Sequence, residues 1–495
     1  MSLKRHTVYN LAGSTVPLLV GLFTVPAFLH LIGTARYGVL ALVWVFLGYF
    51  GLFDPGITRA ATFHLARLHG PTEKKARESV FWTALGVNLV FGILGGIVVY
   101  AAARPLFIHF FKMPESMRGE VLASLPWLAA SVTLSVTTGV LGGALQAREK
   151  FGFVSCTNIT NATLTQLAPL AVAYWHGPDL AWLIPTVVIV RTVGAIPNFI
   201  GIARFLPLGV GGRFDWSRAK TLFSYGGWIA ITNLLGPILT SMDRMLIGSI
   251  LSAEAVAFYS VPFNLVTYAS IVPGAVSTSL FPKLSRATQP EDSRRLASET
   301  LAALASLLTL MLVVGIAVFP IFMNVWVGRT FAAHAAQVGL IIMIGVWING
   351  LAFIPFNHLQ ATNRPDITAK FHAVEVLPFL GILWLGLHYF GLIGAAWAWT
   401  LRVTLDAVLL FVAAGQASML RRVLPGGLLL IIAALLSPTA VLSAKTAMEC
   451  VVVVVAAVWS WRIHPVIKST LKTLASTLMA MRQGKTRLMT TGVHS

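Results

Sequence analysis

Residues 31–67, LIGTARYGVLALVWVFLGYFGLFDPGITRAATFHLAR, decide how the rest of the chain is read. From Tyr37 to Thr58 the only charged side chain is Asp54. At about 1.5 Å per residue, that run can cross a hydrocarbon layer of about 30 Å as a helix. Pro55-Gly56 interrupts it near one end, so helical spacing cannot be assumed between Asp54 and Arg59. Beyond the break, Arg59 and Arg67 mark one membrane face, while the short turn around Gly33 and Arg36 marks the other.

Extended in both directions, the same reading gives fourteen apolar stretches. They run roughly over 10–32, 38–63, 80–102, 120–145, 153–175, 181–203, 222–248, 255–281, 300–322, 334–359, 370–388, 391–415, 424–443 and 447–462. With residues 1–9 placed inside, about 27 of the 36 Lys and Arg fall in inward segments, about 6 in outward loops and about 3 within spans. A miscounted span early in the chain would scramble that alternation. The expectation is an all-α, polytopic protein of the bacterial inner membrane, with about 14 transmembrane helices and both termini cytoplasmic.

Composition agrees. Of 495 residues, 57% are hydrophobic and 11% charged, and mean hydropathy is +0.80, which excludes a string of soluble domains. The net charge of +19 raises nucleic acid as a partner. Its basic clusters, Arg67–Arg77, Arg213–Lys220 and Lys283–Arg295, lie in inward loops, where they set orientation and meet anionic lipid heads. Membrane lipid is therefore the expected partner, and nucleic acid is not. Cys156 and Cys450 fall inside spans and have no metal-ligand spacing. Lys4-Arg5 before a long apolar run, with no A-x-A site after it, reads as a retained first helix. Gly484-Lys485-Thr486 lacks the glycine a phosphate loop needs at Met479. There is no H-E-x-x-H, Cys/His cluster or nucleophile elbow. The expectation is a non-enzyme without cofactor, drawing on an ion gradient or the membrane potential.

A weak repeat organises the spans. Leu31-Ile32-Gly33, Tyr37, Pro55-Gly56 and Arg67 recur as Leu246-Ile247-Gly248, Tyr259, Pro273-Gly274 and Arg286. Six spans separate the copies, so the repeats are parallel. The expected organisation is an N-terminal lobe over 1–220 and a C-terminal lobe over 221–415, each of six helices, around a central cavity. Two additional spans over 416–463 and a basic cytoplasmic tail over 464–495 follow. In the tail, Ile467, Leu471, Leu474 and Leu478 have helical spacing, which suits a surface helix as well as a disordered tail. Gly92-x-x-x-Gly96 and Gly139-x-x-x-Gly143 suit close helix packing.

Charges inside spans each carry an insertion penalty of about 2.5–3.5 kcal/mol, so they mark function or pairing. Arg191 sits mid-span with no carboxylate among its helical neighbours. Its counter-charge comes from another helix, water or an anionic ligand. Arg402 and Asp406 are four apart and can pair on one face or exchange partners during transport. Arg59 can snorkel to the inner interface, while Asp54 lies deeper. For Asp243, Arg244 and Glu375, nearer span ends, interface anchoring, gating and ligand contact compete. Ser155, Asn158, Asn161, Thr165 and Gln166 give the fifth span a partly polar face, suited to water, sugar or a neighbouring helix.

Together, several stretches resemble the polysaccharide transporter (lipid-linked oligosaccharide flippase) family of the multidrug/oligosaccharidyl-lipid/polysaccharide exporter superfamily. They are Tyr225-Gly-Gly-Trp228 through Asn233, Asp243-Arg244, Leu246-Ile247-Gly248, Tyr259, Pro262, Pro273-Gly274 and Phe281-Pro282. Phe53-Asp54-Pro55-Gly56, Leu359-Gln360-Ala361-Thr362-Asn363-Arg364 and the segment Trp399–Asp406 extend the likeness, which covers roughly residues 5–415. The family's usual Leu-Gly after Phe-Asp is replaced here by Pro55-Gly56. The resemblance implies alternating access by two six-helix lobes. The cargo would be a polyprenyl-pyrophosphate-linked oligosaccharide, moved from the cytoplasmic to the outer leaflet, with the polysaccharide biosynthesis machinery as a candidate contact. On that reading Arg191, Arg402 and Arg59 meet the anionic head group. Asp54, Asp406 and Glu375 are candidates for coupling H⁺ or Na⁺, with Asp243 and Arg244 as gating candidates. An ion-coupled multidrug/cation antiporter of the same fold, or a membrane polysaccharide polymerase or ligase, are the competing functions. The balance of Arg with Asp and Glu argues against the first, and the short outer connections against the second.

Overall fold

The computed structural model describes residues 3–68, 70–206, 214–286, 289–362, 364–437 and 444–463, and for 3–12, 14, 49, 71, 221, 224–238, 290 and 444–447 the backbone alone. The tail helix expected around 467–478 lies outside the described residues. Among those described there is no strand, and fourteen α-helices follow one another. They are α1 Leu3–Tyr49, α2 Ile57–Arg67, α3 Lys74–Pro105, α4 Glu115–Ala147, α5 Phe151–His176, α6 Leu180–Phe205 and α7 Trp216–Ile250. Then come α8 Ala253–Thr267, α9 Ile271–Arg286, α10 Pro290–Trp326, α11 Arg329–Ala361, α12 Pro365–Ala413, α13 Ala417–Leu436 and α14 Ala444–Ile463. Nine helical stretches among the described residues are long and apolar enough to cross a membrane.

Helices and membrane crossings do not map one to one, for a backbone reason. α12 has 49 residues, about 75 Å at 1.5 Å each, twice a hydrocarbon layer. It reverses at Gly391, whose φ of 58° is left-handed backbone that suits glycine. Gly386 and Gly394 face each other across that reversal so closely that a Cβ on either would overlap the other's carbonyl. α1 reverses in the same way at Gly33, φ 78°, and Phe28 meets Tyr37 and Trp44 across the turn, ring centroids 6.3 and 6.4 Å apart. Conversely, two expected crossings are broken. A 3-10 turn over Phe50–Phe53 and Pro55-Gly56 separate α1 from α2, and a 3-10 turn over Tyr268–Ser270 separates α8 from α9. Counted by crossing, the segments match the fourteen apolar stretches of the sequence.

By packing, the chain forms two compact units interleaved in sequence. The first comprises Met1–Tyr268, Trp326–Val338 and His372–Trp399; the second comprises Ala269–Val325, Gly339–Phe371 and Thr400–Ser495. The lobes expected at 1–220 and 221–415 describe a repeat along the chain, whereas these units describe packing. In the first unit, α3 lies on α4, α4 and α5 lie on α6, and α1 runs between α5 and α8. The small residues expected to permit this do so: a Cβ on Gly92 would sit 2.7 Å from Thr133 Cα, and one on Gly96 2.7 Å from the Ala129 carbonyl oxygen. In the second unit, Gly426 of α13 fits against Trp459 of α14 and Thr309 of α10, whose hydroxyl accepts a 2.9 Å bond from Trp347 Nε1.

Candidate functional site

α2 restarts the helix that Pro55-Gly56 breaks. Gly56 adopts φ 79°, and Asp54 Oδ1 accepts a bond from the Thr58 amide at 3.3 Å, capping the first turn. Thr58 is also held from α3, where the fully buried Asn88 donates Nδ2 to Thr58 Oγ1 at 3.2 Å. One turn along α2, Arg59 and Thr62 reach a cavity that α2, α4, α5 and α6 enclose.

That cavity measures about 620 Å³, the size of a small-molecule site. Arg59 of α2 and Arg191 of α6 both line it, with Gln146, Asn158, Asn161 and Asn198 around them. Among the described residues, no Asp or Glu belongs to its lining. Among the described residues, neither guanidinium has a hydrogen-bond or ion-pair partner. The buried Oδ1 atoms of Asn161 and Asn198 likewise accept no bond from a described residue. Charge then selects the ligand. At an effective dielectric of about 20, two unit charges 4 Å apart interact by about 4 kcal/mol, in favour of a phosphate and against a cation. Guanidinium forks and carboxamides also match phosphate and sugar oxygens in geometry.

Glycines shape the wall. Gly139 and Gly143 of α4 lie against Thr58 and Thr62 of α2, as their spacing predicts, while Gly142 between them faces open space. Gly194 makes room for Asn161, whose carboxamide would lie 2.5 Å from a Cβ there. Of the residues singled out in the sequence, the cavity brings together Arg59, Arg191, Asn158 and Asn161; Gln146, Asn198, Thr138 and Ser135 join them, neutral side chains that look in sequence like any other polar residue of a helix.

The remaining predicted residues lie elsewhere. Asp243 and Arg244 of α7 are buried together in a local cluster. Tyr259 donates its hydroxyl to Asp243 Oδ2 at 2.8 Å, Arg244 donates to the Thr240 carbonyl at 2.9 Å and to Asn264 Oδ1 at 3.3 Å, and its guanidinium lies 4.3 Å from the Phe263 ring centre. Arg402 and the buried Asp406 lie one turn apart on α12, which at this point belongs to the second unit, and neither is among the described lining residues of that cavity. Glu375, also on α12 but in the first unit, is 2% exposed.

At the opposite ends of these helices the first unit is tied closed. Gly38 of α1 lies so near α8 that a Cβ would overlap the Ala253 carbonyl. The chain linking α3 to α4 interlocks with the turn between α7 and α8: the Lys112 amide donates to the Gly248 carbonyl at 2.9 Å, and the Ala253 amide to the Lys112 carbonyl at 3.0 Å. Arg36 clasps Glu120 of α4 through two bonds, at 2.7 and 3.2 Å, and Glu120 also accepts the first amide of α6, from Leu180, at 3.0 Å.

The family model described as "Polysaccharide biosynthesis protein" matches residues 30–334. A Shigella flexneri protein named "Putative O-antigen transporter" is 25% identical over 410 residues, 83% of this chain and 97% of that protein. The solved structure "Lipid II flippase MurJ, inward closed conformation" superposes with a TM-score of 0.68 at 13% identity, over 92% of this chain and 98% of that one. An inward-facing multidrug resistance MATE family transporter of the MOP superfamily gives 0.62 at 14% identity, over 85% and 96%. At such identities these two structures speak for the fold alone.

Proposed function

The chain belongs to the polysaccharide biosynthesis protein family, and from that premise we propose that it is a membrane transporter for a polyprenyl-pyrophosphate-linked oligosaccharide. It turns this cargo from the cytoplasmic to the outer leaflet of a bacterial inner membrane by alternating access, with both chain ends in the cytoplasm. The observation that carries the reading is the pair Arg59 and Arg191 in one cavity whose lining has no carboxylate. A pyrophosphate needs cations where the dielectric is low, while its polyprenyl tail can remain in lipid. The cavity occupies the parts of α4, α5 and α6 near Gln146, Val154 and Asn198, toward the inward basic loops, where such a cargo starts. A cationic drug would meet two positive charges there. The buried carboxylates Glu375 and Asp406 are the candidates for coupling to H⁺ or Na⁺.

The test is reconstitution in liposomes with a short polyprenyl-pyrophosphate glycan and, in parallel, a lipophilic cationic dye. The glycan lipid should exchange leaflets, faster under one imposed gradient of H⁺ or Na⁺, and the dye should not move. Dye transport without glycan transport would replace this reading with the antiporter. Within the same assay, Gly142→Leu places a side chain on the cavity wall at a position where a Cβ meets no atom within 4 Å. It should leave the unfolding midpoint unchanged while slowing exchange at least about tenfold, the effect of 1.4 kcal/mol of lost binding.

A further inference from the structure

The second unit carries another basic pocket, which the transport reading does not use. It measures about 420 Å³ and lies where the inward ends of α9, α10, α11 and α12 meet. Arg294 and Arg364 line it with Ser285, Gln289, Ser293 and His358, and among the described residues no carboxylate belongs to its lining. Neighbouring bases are already occupied: Arg295 holds Glu299 at 2.9 Å, and Lys370 holds Asp366 at 3.1 Å. Among the described residues, Arg294 and Arg364 have no such carboxylate. Glu291 and Asp292, in the first turn of α10, are exposed and outside the pocket.

The pocket wall is built of donors. His358 and Ser293 are 6% and 4% exposed, with Ser293 Oγ 3.2 Å from His358 Nδ1. When the serine donates to Nδ1, the imidazole keeps its proton on Nε2, a further donor. Arg294 lies over Gly415, whose φ of 68° turns the chain from α12 into α13; a Cβ there would be 3.7 Å from Arg294 Nη2. Two guanidinium forks, an imidazole N–H and a carboxamide without a facing carboxylate match a tetrahedral oxyanion.

We propose that this pocket binds a phosphate group. Two sources share that chemistry, the head group of an anionic inner-leaflet phospholipid and a soluble phosphate. The helix ends around the pocket carry the inward basic loops, which places it at head-group level in the orientation proposed above.

Binding is read on the full-length protein, stripped of lipid in neutral detergent, from the unfolding midpoint. Inorganic phosphate, a short-chain phosphatidylglycerol and a short-chain phosphatidylcholine are titrated separately. The expected result is a saturable rise with phosphatidylglycerol, its half-saturating concentration at least about tenfold higher in Arg294→Ala/Arg364→Ala. Ser285→Glu, which sets a negative charge in the lining, should act the same way and serves if the double variant fails to fold. Arg421→Ala/Arg422→Ala, outside the lining, should match wild type. A matching rise with inorganic phosphate assigns the site to phosphate at large, and a rise with phosphatidylglycerol alone assigns it to the lipid. No saturable rise with either, an equal rise with phosphatidylcholine, or unchanged half-saturation in both pocket variants overturns the proposal.

Discussion

Arg191→Ala is expected to bring leaflet exchange of the glycan lipid to the background of empty liposomes, with insertion and thermal unfolding preserved. The size follows from what the guanidinium is asked to do. Hydrogen bonds to a charged group contribute about 1.5–3 kcal/mol each, and a bidentate contact to pyrophosphate makes two. Losing them weakens binding by on the order of 100-fold or more. The stability expectation separates two roles that sequence leaves open. Had Arg191 been half of an interhelical ion pair, its removal would strand a buried carboxylate and destabilise the fold by about 3–5 kcal/mol. Because it has no protein partner among the described residues, alanine removes a charge that only a ligand offsets, and the unfolding midpoint should hold or rise. Arg191→Lys keeps the charge without the planar fork and should fall between. Arg59, more exposed on α2, should show the same direction with a smaller loss. Full transport by Arg191→Ala would remove this residue from the site.

Why Arg191 was legible in the sequence, and much of its surroundings was not, is a matter of what a membrane makes conspicuous. A charge in the middle of an apolar run stands out because hydrocarbon penalises it. The spans stand out for the same reason, as do the breaks at Pro55-Gly56 and the turn at Gly33, where proline and glycine are the residues the backbone requires. Neutral polar residues carry no such mark. Asn198 and Gln146 line the same cavity as Arg59 across gaps of some 90 to 140 residues, and only the packing of α2, α4 and α6 brings them together. The glycines of α4 illustrate the limit well. Spacing predicts that Gly139 and Gly143 pack against a helix, yet nothing in it tells that Gly142, one residue away, faces the cavity. For the gate candidates Asp243 and Arg244, the sequence shows the adjacent charges but not the hydrogen bonds they make to Tyr259 and Asn264, which lie on the next helix.

Gly38→Val is expected to abolish transport without touching the cargo's cavity. In the proposed orientation, alternating access requires the outer ends of the helices to close once in every cycle, and Gly38 stands where α1 and α8 meet backbone to backbone. Even a methyl group there would overlap the Ala253 carbonyl, and a β-branched side chain holds α8 further away. Displacing α8 also strains the two bonds that join Lys112 to Gly248 and Ala253, because Ala253 begins that helix. Since packed interfaces are bistable rather than continuously deformable, the expected outcome is loss of the closed state, not a slightly looser one. Accessibility reads this directly. Val256 of α8 is 0% exposed in the closed seam. With Cys156 and Cys450 replaced by serine, a Val256→Cys variant should resist a membrane-impermeant maleimide added from outside. Adding Gly38→Val should make it react, while exchange of the glycan lipid falls to background. Gly33→Ala provides the contrast: its φ of 78° makes any side chain a strain on the hairpin itself, so it should lower the unfolding midpoint rather than open the seam. Protection of Val256→Cys in the Gly38→Val background, together with wild-type exchange, would mean that the outer side closes somewhere other than at α1 and α8.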